Sequence, residues 1–171
     1  MTVVGDRRTG VRALVVRLFG RPDEIARTAA LAGSLFLVIG SYVALKAVRD
    51  ALYIDAFGAM RLPFVIVGIA LVVAVFAELY IRLARRIAVA PLAIGMMLAH
   101  ALTLVALWAC ARSGARWLYP VLYLWVGAFG VMAPVQVWML AQEVFSAREA
   151  RRLFGPLGAG GVAGAIAGGA V

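Results

Sequence analysis

Five stretches of this chain run for sixteen residues or more without a Lys, Arg, Asp or Glu: 28–45, 62–77, 87–111, 117–142 and 156–171. A bilayer core about 30 Å thick is crossed by about 20 apolar residues at 1.5 Å rise. Runs of this length, separated by short basic segments, predict an all-α integral membrane chain with helices at about 28–52, 62–81, 87–111, 117–145 and 156–171. Composition agrees: 65% of the residues are hydrophobic and 15% charged, against about 25% charged in soluble domains. The last run reaches only about 22 Å from Leu157 to Val171, so the spacing predicts a span cut short in the N-terminal part of a longer protein.

The 17 Lys and Arg exceed the 8 Asp and Glu, for a net charge of +9. The basic residues stand between apolar blocks rather than on one polar face, which argues against nucleic acid as a partner and for the lipid bilayer. With the N-terminus inside, segments 7–27, 82–86 and 148–152 hold twelve of the 17, and Lys46, Arg49, Arg61, Arg112 and Arg116 fall on or near the other side. Positive charge collects on the cytoplasmic side, so the sequence predicts a cytoplasmic N-terminus in a plasma (bacterial inner) membrane. Residues 1–27 read as a basic cytoplasmic segment and 28–171 as the transmembrane domain. Within the first segment, Val11, Leu14, Val15, Leu18 and Phe19 recur at helical spacing, as in a short basic helix lying on the membrane surface or a basic tail. Connections of about ten, five, five and twelve residues predict antiparallel neighbours in a bundle.

Polar residues inside such runs are costly and mark the candidate sites. Tyr42, Lys46, Arg49 and Tyr53 share an arc of roughly 60° at 100° per residue, with Asp50 beside them. They read either as a cationic stripe along a path for an anionic solute or as snorkelling side chains with Asp50 paired to Lys46. Glu78, followed by Arg82, Arg85 and Arg86, offers ion pairs that could latch one conformation, or plain positive-inside anchoring. Pro134 should kink or loosen its helix. Gln136, with Glu143 seven residues on, either glues helices or lines a path. Gly160, Gly164 and Gly168 form a G-x-x-x-G-x-x-x-G face for another helix. His100 reads as a proton relay or as a neutral ring bonded to a neighbouring helix. Cys110, the single cysteine, excludes an intrachain disulfide and reads as a small buried hydrophobe.

Several chemistries are excluded. Gly158-Ala-Gly-Gly-Val-Ala163 has the spacing of a dinucleotide fingerprint, but no strand context precedes it and no acidic residue follows. There is no G-K-[ST], no nucleophile–base pair and no cluster of metal-ligating residues, so neither an enzyme nor a cofactor is expected.

Two stretches carry a resemblance. Residues 41–52, Ser-Tyr-Val-Ala-Leu-Lys46-Ala-Val-Arg49-Asp50-Ala-Leu, resemble the first-helix motif of the ATP/ADP translocase family. Residues 137–161, from Val137-Trp-Met-Leu-Ala-Gln142 through Arg151-Arg152 to the glycines at 158–161, resemble the end of that family's fourth helix, its basic cytoplasmic loop and the start of its fifth helix. The resemblance implies the N-terminal part of a six-helix half of a major-facilitator-like bundle. It implies a secondary transporter of nucleotides, in ATP/ADP exchange, or of another anionic solute. Arg49 would handle the phosphates, with Asp50 as its neighbour and Lys46 one turn earlier; Tyr42, Tyr53 and Gln136 are expected from their own positions to complete the substrate-binding group. From their own charge pattern, Glu78, Arg82, Arg85, Arg86, Glu143, Arg151 and Arg152 are expected to gate the cytoplasmic side; the resemblance adds the remaining helices of the same transporter as partners. The competing expectation is a non-transporting membrane anchor or sensor module of a larger protein.

Overall fold

The computed structural model describes residues 22–111 and 114–171. These form five α-helices: α1 (Pro22–Phe57), α2 (Leu62–Ala84), α3 (Val89–Ala111), α4 (Leu118–Val144) and α5 (Ala147–Gly169), with a 3-10 turn at Ala59–Arg61 between the first two. No strand occurs among the described residues. The surface helix expected at 11–19 lies outside them. Helices α1 to α4 are long and apolar enough to cross a membrane. Their outward residues are large and apolar, among them Leu37, Phe64, Leu71, Val75, Leu102 and Trp108, as expected where lipid is the solvent.

Several boundaries differ from the sequence expectation. Helix α1, expected at 28–52, has 36 residues, about 54 Å at 1.5 Å rise. It starts at Pro22, a residue suited to a first helical turn, and stops at Gly58, whose φ of 76° is open to glycine and whose N–H makes the last helical bond, to Ile54 O at 2.8 Å. Charged residues at both ends hid those turns. Helix α5, expected from 156, begins at Ala147. The Glu149 carboxylate accepts the Ser146 backbone N–H at 2.8 Å and the Ser146 hydroxyl at 2.6 Å. This S-x-x-E pair fixes the helix start and turns the expected basic loop into the first turns of α5. The helix carries Pro156 in its interior and is not one of the four membrane-length apolar helices. Helix α4 runs unbroken through Pro134.

Short connections do not make chain neighbours the main packing partners. Helix α4 is the hub, touching α1, α2 and α3, while α2 and α3 meet only marginally. Helix α1 lies antiparallel to α4, with Tyr42 at Gly130 and Arg49 at Tyr123. Helix α2 is parallel to α4, with Gly68 at Leu124 and Ile69 at Gly127. Helices α1 and α5 are also parallel. Gly160 meets Ala32, Gly164 meets Phe36 and Gly168 meets Gly40, and a Cβ on these glycines would stand 3.0, 2.8 and 2.9 Å from the facing Cα atoms. Arg152 pairs with Glu24 in the same register, 128 residues apart. Leu31, Leu35, Val137, Ala141, Phe145, Leu153 and Leu157 close the core between α1, α4 and α5. Cys110, expected to be buried, is exposed on α3.

Candidate functional site

Beyond the glycine contact with α5, α1 carries its charges toward α4. Arg49 is 5% exposed. Its Nη1 donates to the Tyr123 backbone oxygen at 3.1 Å, and its Nε donates to Asp50 Oδ1 at 3.3 Å. The guanidinium carbon stands 4.3 Å from the Tyr123 ring centroid and 5.9 Å from that of Tyr42, both within cation–π range. Its Nη2 has no hydrogen-bond partner among the described residues. Lys46, one turn earlier, donates to Asp50 Oδ2 at 2.9 Å, with the two side chains 49% and 26% exposed. Two cations thus share one carboxylate, leaving one formal positive charge in excess. Tyr53 packs on Tyr123 and Phe57, with centroids 5.0 and 5.2 Å apart.

Helix α4 makes room for these side chains by omitting its own. A Cβ at Gly127 would crowd the end of Ile69 on α2 and stand 2.9 Å from Arg49 Nη1, and a Cβ at Gly130 would overlap the edge of the Tyr42 ring. Tyr123, Gly127 and Gly130 were not among the residues singled out in the sequence. The available signal was the pair of glycines three apart in an otherwise bulky helix. One helical turn beyond Tyr53, at the Asp50 end of α1, Arg116 donates to Ala56 O at 2.9 Å. Arg61 and Arg116 stand 5.8 and 6.0 Å from the Phe57 ring.

The structure brings Tyr42, Lys46, Arg49, Asp50 and Tyr53 together, but not Gln136. That residue lies more than three turns beyond Tyr123 on α4, about 20 Å away along the helix. It is buried with its Nε2 3.4 Å from Met96 Sδ. Gln136 therefore stands at a different depth of the bundle from the other expected substrate-binding residues.

The expected cytoplasmic latch also divides. Glu78 accepts from Arg82 at 2.7 Å, but both lie on α2 one turn apart, so the pair moves with its helix and latches nothing to a neighbour. Arg85, Arg86, Glu143 and Arg151 are exposed and make no ion pair among the described residues. Arg152 alone reaches another helix, at Glu24. Beside that pair an open polar cleft is lined by Glu24, Ser146, Arg148, Glu149 and Arg152. The two hydrogen bonds from Ser146 hold the Glu149 carboxyl below the ordinary carboxylate range. His100, expected to bond a neighbouring helix, instead lies 2.9 Å by Nδ1 from Met96 O of its own helix. No family model, curated protein or solved structure matches the chain.

Proposed function

We propose that the chain belongs to a secondary membrane transporter working by alternating access, and that Arg49 is the group that meets an anionic substrate. The observation that carries this reading is an arginine almost entirely removed from solvent, with one terminal nitrogen unpaired, in a cluster with one positive charge in excess. A buried charge in a membrane helix is expensive and is retained where it does work. A guanidinium offers planar, paired donors suited to phosphate oxygens. The resemblance of residues 41–52 and 137–161 to the ATP/ADP translocase family supports nucleotide phosphates as the anion and a major-facilitator-like arrangement. Further helices of the same transporter would then form the other wall of the path. The Lys and Arg asymmetry supports a cytoplasmic N-terminus in a bacterial inner membrane.

The test is uptake of labelled ADP and ATP by cells expressing the protein from its intact gene. Saturable uptake, lost in Arg49→Ala at an unchanged membrane level, is the expected result. Uptake unaffected by Arg49→Ala would remove Arg49 from the site, and absence of uptake would remove nucleotides as the substrate class.

One observation favours a second reading. Arg49 already ties α1 to α4 through the Tyr123 carbonyl, as a purely structural arginine in an anchoring or sensing module would. In that reading Arg49→Ala lowers the stability of the helix pair, and the wild-type protein moves no solute.

A further inference from the structure

We propose that the seam between the first turns of α1 and α5 binds one phospholipid whose headgroup carries a phosphate and a primary ammonium. The proposal rests on the membrane placement of the chain and not on transport. Two openings follow one another along that seam. The first is the polar cleft of about 400 Å³ lined by Glu24, Ser146, Arg148, Glu149 and Arg152. The second is an apolar groove of about 190 Å³ lined by Ile25, Thr28, Ala29, Ala32, Leu153 and Pro156. Glu24 and Ile25 are consecutive on α1, and Arg152 and Leu153 on α5. Each helix therefore contributes a wall that changes from charged to apolar at the same level.

That level is also where charge ends on both helices. Arg27 is the last charged residue of α1 before Lys46, and Arg152 is the last of α5. The Arg152–Glu24 pair holds the two helices in register. A boundary between headgroups and hydrocarbon thus passes between cleft and groove. Thr28 brings the one hydroxyl of the groove, and it donates to Glu24 O at 2.7 Å, so no donor is left for the groove's occupant. Beyond Ala32 the helices close on each other, since a Cβ at Gly160 would stand 2.4 Å from Ala32 O. From Glu24 to Ala32 α1 rises about 12 Å, against about 15 Å for the hydrocarbon of one leaflet. The groove takes most of one acyl chain.

The charges of the cleft select the headgroup. Two guanidiniums face two carboxylates there, and Arg27 acts on Glu149 from α1 without lining the cleft. Arg152 donates to Glu24 Oε2, and Glu149 Oε2 accepts from Ser146 twice. Arg148 is exposed and makes no hydrogen bond or ion pair among the described residues, and neither do Glu24 Oε1 and Glu149 Oε1. The unspent groups are a planar fork of donors and two carboxylate oxygens. A phosphate suits the fork, and a primary ammonium, with its N–H donors, suits the carboxylates. A headgroup with negative charge alone would set it against both carboxylates, and a trimethylated ammonium has no N–H to give. The cleft is many times the roughly 30 Å³ share of one water, so it has room for such a headgroup.

Native mass spectrometry of the full chain in detergent, supplied with equal amounts of phosphatidylethanolamine, phosphatidylcholine and phosphatidylglycerol of the same acyl chains, tests the site. The expected result is one phosphatidylethanolamine retained per chain in preference to the other two. Arg148→Ala removes an exposed, unpaired side chain and should weaken retention about tenfold, the worth of one charge-assisted hydrogen bond. Ala29→Leu fills the groove from an exposed position and should weaken retention with the cleft intact. Arg151→Ala, exposed but outside the cleft, should leave it unchanged. Equal retention of the three lipids, preference for phosphatidylglycerol, or an equal loss in Arg151→Ala would overturn the proposal. So would retention unmoved by Ala29→Leu, since the headgroup alone would then account for binding.

Discussion

The ring of Tyr42 on α1 occupies the volume that a Cβ at Gly130 of α4 would need. Gly127, one turn earlier on α4, is crowded first by the end of Ile69 on α2, with Arg49 Nη1 2.9 Å from the position of a Cβ. The aromatic and cationic face of α1 is therefore seated in a groove cut by two missing side chains. Burial of Arg49 depends on both helices.

Gly130→Ala is expected to destabilise the chain, although alanine is the better helix former by about 1 kcal/mol. The overlap with the Tyr42 ring has no flexible end to yield and costs about 1–3 kcal/mol. Tyr42→Ala in the same chain should remove that penalty and return the gain expected of alanine. A double-mutant cycle of thermal unfolding in detergent measures the coupling. Additive effects would separate Tyr42 from Gly130.

The glycine face of α5 gives a contrast of sign. A Cβ at Gly164 meets the Phe36 backbone at 2.8 Å from its Cα, whereas one at Gly158 meets nothing within 4 Å. Backbone cannot move aside as a side-chain tip can. Gly164→Ala should therefore lower the unfolding midpoint and loosen α1 from α5, while Gly158→Ala should be neutral or slightly stabilising. Unfolding midpoints of the two variants in detergent check the contrast, and equal shifts would remove Gly164 from the contact.

These glycines show what was legible in the sequence. The repeat at 160, 164 and 168 announces a packing face because its period matches the helix, and the apolar runs announce the spans because their length matches the bilayer. The partner of that face was not legible, since α1 precedes it by 128 residues in register and nothing local encodes that pairing. Depth was lost for the same reason, which put Gln136 with Arg49 although α3, not α1, receives its amide. The early start of α5 was written in Ser146 and Glu149, but charge at 148–152 read as loop.

Glu149 makes the start of α5 sensitive to acid. Its carboxyl is held below the ordinary range, first by the Ser146 hydroxyl and then by the Ser146 N–H. A lowered carboxylate contributes stability that is fully present above its unfolded pKa and is lost as pH falls through the lowered value. Amide exchange at Ser146 and Ala147 is therefore expected to accelerate, relative to mid-α5 amides, on acidification below the usual carboxylate range. Glu149→Ala should exchange at the accelerated rate at neutral pH and show no such step. A pH step retained in Glu149→Ala would assign it to another group.

Arg49→Lys separates charge from shape. Lysine keeps the positive charge, but it cannot donate from two positions of a planar fork to the Tyr123 carbonyl and the Asp50 carboxylate, nor lie flat against the Tyr123 ring. Loss of a hydrogen bond from a charged donor costs about 1.5–3 kcal/mol, and Asp50 retains Lys46 as a partner, so the chain should remain folded at reduced stability. Arg49→Ala removes the bond to the Tyr123 carbonyl, the bond to Asp50 and the stacking on the Tyr123 ring together, and should cost more. In a transporter both variants should also lose anion movement, lysine less than alanine. In a structural arginine the two losses of stability remain without any change of solute flux. Parallel measurement of unfolding midpoint and uptake for the two variants decides between those outcomes.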